Sequence, residues 1–310
     1  MTTAHANGKV ILVGEHAVVY GQPAIAIPVS EVGVSVEIVA CDHSSTVEAP
    51  GIGLSSALSD LEATHPIRAA IDGFSLAAGS LGLSNYKIYI HSTIPVASGL
   101  GSGAAVSIAL LKALNLHFKS NLSIEQINQL AFNVEKIHHG TPSGIDNSVI
   151  AFGKPVFYIK GEPIETFFVQ RQVNLVIGDT GIPAPTKTAV LDVRKLVEEK
   201  PATFQPLINE IGELVRSARI SLEAGELDQL GMLMQKDHSL LRQLGVSSPE
   251  LEILITAAME AGALGAKLSG GGRGGNMIAL VKSEFEIQDI SKALLDAGAK
   301  AIYHTRITPP

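Results

Sequence analysis

The chain has one cysteine in 310 residues, Cys41, so no internal disulfide can form and no cysteine-based metal site can be assembled. It has no run rich in lysine or arginine. With a formal charge of −7 and a pI near 5.8, this argues against nucleic acid or an anionic membrane surface as a partner. No uninterrupted apolar stretch reaches the ~18 residues that would suggest a membrane span. The opening, Met1 to His16, lacks the basic start and long apolar core of a signal peptide. Internal repeats and low-complexity linkers are absent. The expectation is a soluble, cytoplasmic globular protein. Its length is too great for one small core and points to two domains.

Several short segments show a clear period. Val10 to Val13 is an apolar run closed by Gly14 and reads as a buried strand, and Pro23 to Val29 reads likewise. Val32, Val34, Val36 and Ile38 alternate with other residues, as in a half-buried strand. Asp42 to Ser56 is polar and reads as loop. Leu58 to Ala78 reads as a helix with a break near Pro66. Tyr86 to Ile90 alternates again, and Ala104 to Leu114 is a strong helix. Ser123 with Gln126 forms a capping box that opens a helix to about His138, ended by Gly140. Pro155 to Ile159 and Val173 to Ile177 read as strands. From Thr186 to Gly262 the pattern is mostly helical. Ile211, Leu214, Val215, Ala218 and Leu222 share one face, and Leu230, Leu233, Leu240 and Leu241 belong to the next helix. The chain closes as strand, strand, helix, strand: Ala266–Leu268, Met277–Val281, Ile287–Ala297 and Ala301–Tyr303. The shift to helices sets the expected domains at 1–168 and 169–310.

Glycine is in modest excess, and it clusters. Pro95 to Ala105 follows a strand and opens a helix. Its glycines permit close backbone approach, and the helix start offers unpaired N–H groups and partial positive charge, which together suit a phosphate. A tight turn without a ligand is the alternative. A dinucleotide fingerprint through Gly99, Gly101 and Ala104 lacks an acidic ribose-binding residue about 20 residues on. Glu135 and Asp146 flank a Gly/Pro-rich turn, so one carboxylate can hold a hard cation while the other takes a proton. A solvated helix face plus a turn residue is the plainer account, and His138 with His139 makes a poor metal pair because neighbours on a helix point about 100° apart. In the stretch Gly262 to Asn276, five of the seven residues 269–275 are glycine, which suits a polyphosphate to which Arg273 adds charge. Lys9 and Glu15, close together near the N-terminus, read most simply as a structural ion pair.

Taken in order, these segments resemble the GHMP kinases, named for galactokinase, homoserine kinase, mevalonate kinase and phosphomevalonate kinase. Lys9 to Gly21 with Pro23 to Ala26 is similar to the opening of the mevalonate-phosphorylating branch. His139 to Asp146 resembles that branch's catalytic segment, Pro95 to Ala105 and Lys267 to Gly275 resemble the second and third family motifs, and Asp237 to Ser247 is also similar. The resemblance covers nearly the whole chain. It implies an α+β fold of two domains, the first with a left-handed β-α-β crossover and the second ferredoxin-like with added helices. ATP and mevalonate would meet in a cleft between them, with Mg²⁺ as cofactor and a homodimer as a form the family takes. By the same resemblance Asp146 accepts the proton of the 5-hydroxyl and Lys9 stabilises developing charge. Glu135 and Ser102 serve Mg²⁺. Ser98, Gly99, Leu100, Gly101, Ser102, Gly103, Ala104, Gly271 and Gly272 cradle the phosphates. Glu15, His16, Asp146 and Thr188 face the acceptor.

Two positions depart from the family pattern. Gly103 stands where a second serine is usual, and Asn7 stands where proline precedes Gly8-Lys9. A phosphomevalonate, homoserine or mevalonate 3-kinase remains the nearest alternative, although no cluster of cations for a phosphorylated acceptor is visible. An NAD-dependent oxidoreductase would leave the segments around Glu135 and Gly271 unexplained.

Overall fold

The computed structural model describes residues 1–79, 85–95, 98–139, 142–184 and 186–310. The side chains of His138 and His139, Gly140 as the expected helix stop, and Val96–Ala97 of the second motif lie outside the described residues. The chain forms two compact units. The first is Met1–Gly8, Val32–Val96 and Gly101–Gly153. The second is Lys9–Glu31, Ala97–Leu100 and Lys154–Pro310.

Strand β1 is Thr2–Val13 and pairs with β2, Ala24–Ala40. The apolar run near Ile25 and the alternating run from Val32 are therefore one strand of 17 residues. Its first four residues are all buried. From Val32 onward burial alternates, with Val32, Val34, Val36 and Ile38 facing in, so the change of period records a strand covered on both faces that becomes covered on one. The segment read as loop from Asp42 to Ser56 contains an antiparallel hairpin, β3 Thr46–Ala49 and β4 Leu54–Ala57. Strands of four residues bury only Val47 and Ala49 on β3, too short a pattern to show a period.

The break near Pro66 is a start. Helix α1 is Pro66–Ala77, with proline at its first position, where no N–H is needed, and the His65 ring accepting from the Ile67 N–H at 3.3 Å. Leu58–Asp60 is a separate 3-10 turn. Strand β5, Tyr86–Ser92, pairs antiparallel with β2 and parallel with β3, giving the order β4-β3-β5-β2 in the first unit. Helix α2, Ser102–Phe118, buries residues all round and packs against α1, against α3 (Ile124–His139) and against α4 (Ile145–Phe152). The capping box of α3 forms as expected: the Gln126 N–H donates to Ser123 Oγ at 3.3 Å and the Ser123 N–H to Gln126 Oε1 at 2.8 Å.

In the second unit the start of β2 pairs with β6 (Val156–Tyr158), and β6 with β7 (Glu165–Thr166). The rest of the unit is built on β8 (Val173–Asp179), β9 (Gly265–Ser269), β10 (Asn276–Val281) and β11 (Ala301–Ile307). Their order is β11-β8-β10-β9, with every neighbouring pair antiparallel. Four helices join β8 to β9: α5 Thr186–Glu199, α6 Pro201–Ala224, α7 Leu227–Gln243 and α8 Pro249–Glu260. One helix, α9 Ile287–Asp296, joins β10 to β11. This is the ferredoxin-like order with added helices. The faces read from the 3.6-residue period are the buried ones: Ile211, Leu214, Val215, Ala218 and Leu222 on α6, and Leu230, Leu233, Leu240 and Leu241 on α7. Each large side chain among them contributes roughly 2 kcal/mol by leaving water. Among the described residues no helix is long and apolar enough to cross a membrane.

Candidate active site

In the first unit the candidate groups sit on helix ends. Gly101, with φ 79°, caps α2, and the first helical bond runs from the Ala105 N–H to the Gly101 carbonyl at 2.9 Å. The N–H groups of Ser102, Gly103 and Ala104 precede that bond and point out of the helix start. Gly103 is exposed, and a Cβ built on it would lie 3.5 Å from Glu135 Oε1 in the last turn of α3. A serine at 103 would therefore bring its hydroxyl beside that carboxylate. Asp146 is half-buried in the first turn of α4, where the helix macrodipole favours negative charge. Behind it, Asn147 Nδ2 donates to Asn128 Oδ1 at 2.6 Å, Asn128 Nδ2 donates to Ser148 Oγ at 3.3 Å, and Ser148 Oγ donates to the Gly144 carbonyl at 2.6 Å. This amide network ties α4 to α3.

In the second unit Lys9, Glu15 and His16 are buried. The Lys9 N–H donates to the Leu100 carbonyl at 3.0 Å, which joins the first motif to the second. Asn276 Nδ2 donates to the Ser98 carbonyl at 2.5 Å. His16, 4% exposed and with φ 61°, directs Nε2 at the Gly271 carbonyl, 3.1 Å away. A carbonyl only accepts, so Nε2 carries the proton and Nδ1 is left as a bare acceptor. Nδ1 is buried with no hydrogen-bond partner. Burial pushes the ring down to about 4, opposed by the Gly271 carbonyl and assisted by the Arg273 and Lys267 charges, so the imidazole is neutral at pH 7. Glu15 does not open onto a surface. It is 1% exposed and its Oε1 is ion-paired with Lys267 Nζ, so the partner of Glu15 is Lys267. Thr188 is exposed in the first turn of α5.

The third glycine segment is shaped by its own protein neighbours. A Cβ on Gly271 would meet Thr186 Oγ1 at 2.5 Å, and one on Gly272 would meet the Val246 carbonyl oxygen at 2.0 Å. Arg273, expected to lend charge to a polyphosphate, is engaged elsewhere: its Nη1 pairs with Asp192 and its Nε donates to the Gly245 carbonyl at 3.2 Å. Ser269, which no sequence argument singled out, accepts from the Ile11 N–H at 3.1 Å and donates to the Ile11 carbonyl at 2.8 Å, stitching β9 to β1. Asp237 and Lys267 also went unassigned, although each interrupts an apolar pattern. Lys267 lies between Ala266 and Leu268, and Asp237 shares a face with Leu230, Met234 and Leu241. A charge on a buried face is the signal that finds them.

A mixed α+β chain with a glycine-capped helix start, flanking carboxylates and a ferredoxin-like second unit defines a small-molecule kinase of one class. The GHMP kinases N terminal domain signature matches residues 66–154, and the GHMP kinases C terminal signature matches residues 218–300. The mevalonate kinase of Pyrococcus furiosus is 35% identical over 95% of this chain and 93% of its own length. The crystal structure of L. major mevalonate kinase in complex with R-mevalonate is 33% identical with a TM-score of 0.86, covering 100% of this chain and 96% of that one. Streptococcus pneumoniae phosphomevalonate kinase reaches the same TM-score of 0.86 at 20% identity, covering 99% of this chain and 100% of that one, a likeness of fold alone. The chain belongs to the GHMP kinase family, and with it to the ATP-dependent enzymes that phosphorylate a hydroxyl group.

Proposed function

We propose that the chain transfers the γ-phosphate of ATP to the 5-hydroxyl of mevalonate, as a cytoplasmic enzyme using Mg²⁺. What carries this reading is the 35% identity to a mevalonate kinase along nearly the whole of both chains. The geometry supports it. The α2 start offers N–H groups and partial positive charge to the phosphates. Asp146, in the first turn of α4, takes the hydroxyl proton as the phosphoryl group leaves ATP, and Lys9 offsets charge developing on the acceptor oxygen. His16 accepts a hydrogen bond from an acceptor hydroxyl at its bare Nδ1.

The residues present fit a hard cation. Glu135 presents a carboxylate oxygen beside the α2 start, Ser102 is the neighbouring hydroxyl, and Gly103 leaves the space between without a side chain. Among the described residues no group of three or more His, Cys, Asp or Glu could hold a metal, so the ion would take most of its oxygens from the nucleotide, as Mg²⁺ does in kinases. When bound it neutralises charge on the phosphates.

A different GHMP acceptor is the second reading, because the family signatures do not by themselves fix the acceptor. ADP release with Mg²⁺–ATP against mevalonate, phosphomevalonate, homoserine and galactose separates the two. Release with mevalonate alone supports the proposal. Release only with another member of the panel refutes it and keeps the family.

A further inference from the structure

Three charged side chains meet inside the second unit. The side chains of Lys267 and Asp237 are 0% exposed and that of Glu15 1%. Lys267 Nζ pairs with Glu15 Oε1, lies 3.3 Å from Asp237 Oδ2, and donates to the Leu268 carbonyl at 2.6 Å. One ammonium between two carboxylates leaves a unit of negative charge, and burying an uncompensated charge is strongly unfavourable. Glu15 Oε2 and Asp237 Oδ1 are also buried without a settled donor, and Asp237 Oδ2 has only Lys267 beside it. A single proton answers both problems. It neutralises the cluster, and it makes one bare acceptor a donor to another. Burial raises both carboxyls, with Lys267 pulling each back down. Glu15, pushed up further by Asp237, reaches about 7, and Asp237 accepts from Glu15. The two carboxyls together hold the one proton.

We propose that Glu15, Lys267 and Asp237 form a one-proton positioning cluster that fixes the His16 turn and so makes acceptor affinity depend on pH. The cluster draws the turn after β1, the strand β9 and the helix α7 together, and His16 follows Glu15 directly. The inference rests on the reading of His16 as an acceptor-binding group. Below about pH 7 the cluster is neutral and the turn is held, with His16 Nε2 on the Gly271 carbonyl and its Nδ1 without a protein partner. Above it, the cluster loses its proton, an unbalanced charge is buried, and the turn loosens. Among the described residues, His16 on the turn and His238 on α7 face Lys267; Arg273 in turn acts on His16, and Glu252 and Arg242 act on His238. Burial lowers both histidines, and they are neutral above pH 7. The sign follows. Glu15 is raised from 4.5 to about 7 by folding, so its stabilising effect is complete below 4.5 and is lost as pH rises through about 7.

The test measures KM and kcat for mevalonate from pH 6 to 8.5 in the unaltered protein and in Asp237→Asn and Glu15→Gln, each of which removes one carboxylate charge. The unaltered protein is expected to show KM rising about fivefold with kcat changing less, within the limit of tenfold per pH unit for one proton. In both variants the KM ratio should fall to about one. A KM ratio in Asp237→Asn equal to that of the unaltered protein would overturn the proposal. Two readouts need no turnover: the melting temperature of the unaltered protein should fall above pH 7, and the infrared band of a protonated carboxyl at pH 6 should vanish in Glu15→Gln. A band that survives in that variant overturns the inference even if mevalonate is not the acceptor. Absence of ADP release at every pH, with the band behaving as expected, overturns the acceptor instead.

Discussion

The chain has two glycine-rich segments that look alike in sequence and differ in physical cause. Around α2, Gly99 and Gly103 are exposed, and a Cβ on either would meet only a side-chain atom at ordinary contact distance, Asn276 Nδ2 at 3.6 Å and Glu135 Oε1 at 3.5 Å. After β9, Gly271 and Gly272 are buried, and a Cβ would collide with Thr186 and with the Val246 backbone. The first segment keeps space open beside a helix start, the place proposed for the phosphates. The second is glycine because its own protein neighbours press on it. Glycine density alone reports close approach and does not say what approaches.

The largest expected effect lies beside the open segment. Asp146→Asn removes the carboxylate proposed to accept the proton and keeps the side chain's shape, so kcat should fall by roughly 10²–10⁴ with an unchanged melting temperature. A variant that keeps near-normal turnover removes Asp146 from the chemistry. Next comes the packed segment: Gly272→Ala, at φ 73° and against a carbonyl oxygen, should lower unfolding free energy in urea by about 3 kcal/mol or more. A loss confined to ATP affinity would reverse the comparison. Gly99→Ala, strained at φ 80° but not crowded, should cost about 1–2 kcal/mol and raise KM for ATP. The smallest effect belongs to Gly103→Ser, expected within about 0.5 kcal/mol in stability. Its hydroxyl would join Glu135, so the Mg²⁺ concentration for half-maximal activity should stay the same or fall, and a sharp rise would mean the site is adapted to glycine.

Periodicity made most of the fold legible. The helical faces of α6 and α7, the capping box of α3 and the closing strand–strand–helix–strand order are all visible in the spacing of apolar residues. What escaped was short or ambiguous. The β3–β4 hairpin is four residues a side, and Pro66 signals a helix start as readily as a break. In the site, Asp146, Glu135 and the α2 start stood out because they flank glycine and proline turns. The cluster of Lys267 with Glu15 and Asp237 joins residues 252 positions apart in the case of Lys267 and Glu15, a separation that no local pattern bridges.

The central claim is that this kinase phosphorylates the primary hydroxyl of mevalonate. Proton-coupled phosphorus NMR of the product made from ATP and mevalonate tests it directly. A phosphomonoester resonance split into a triplet by an adjacent CH₂ is the predicted result. An unsplit resonance, as from a phosphate on the tertiary carbon, or no new phosphomonoester at all, would contradict it.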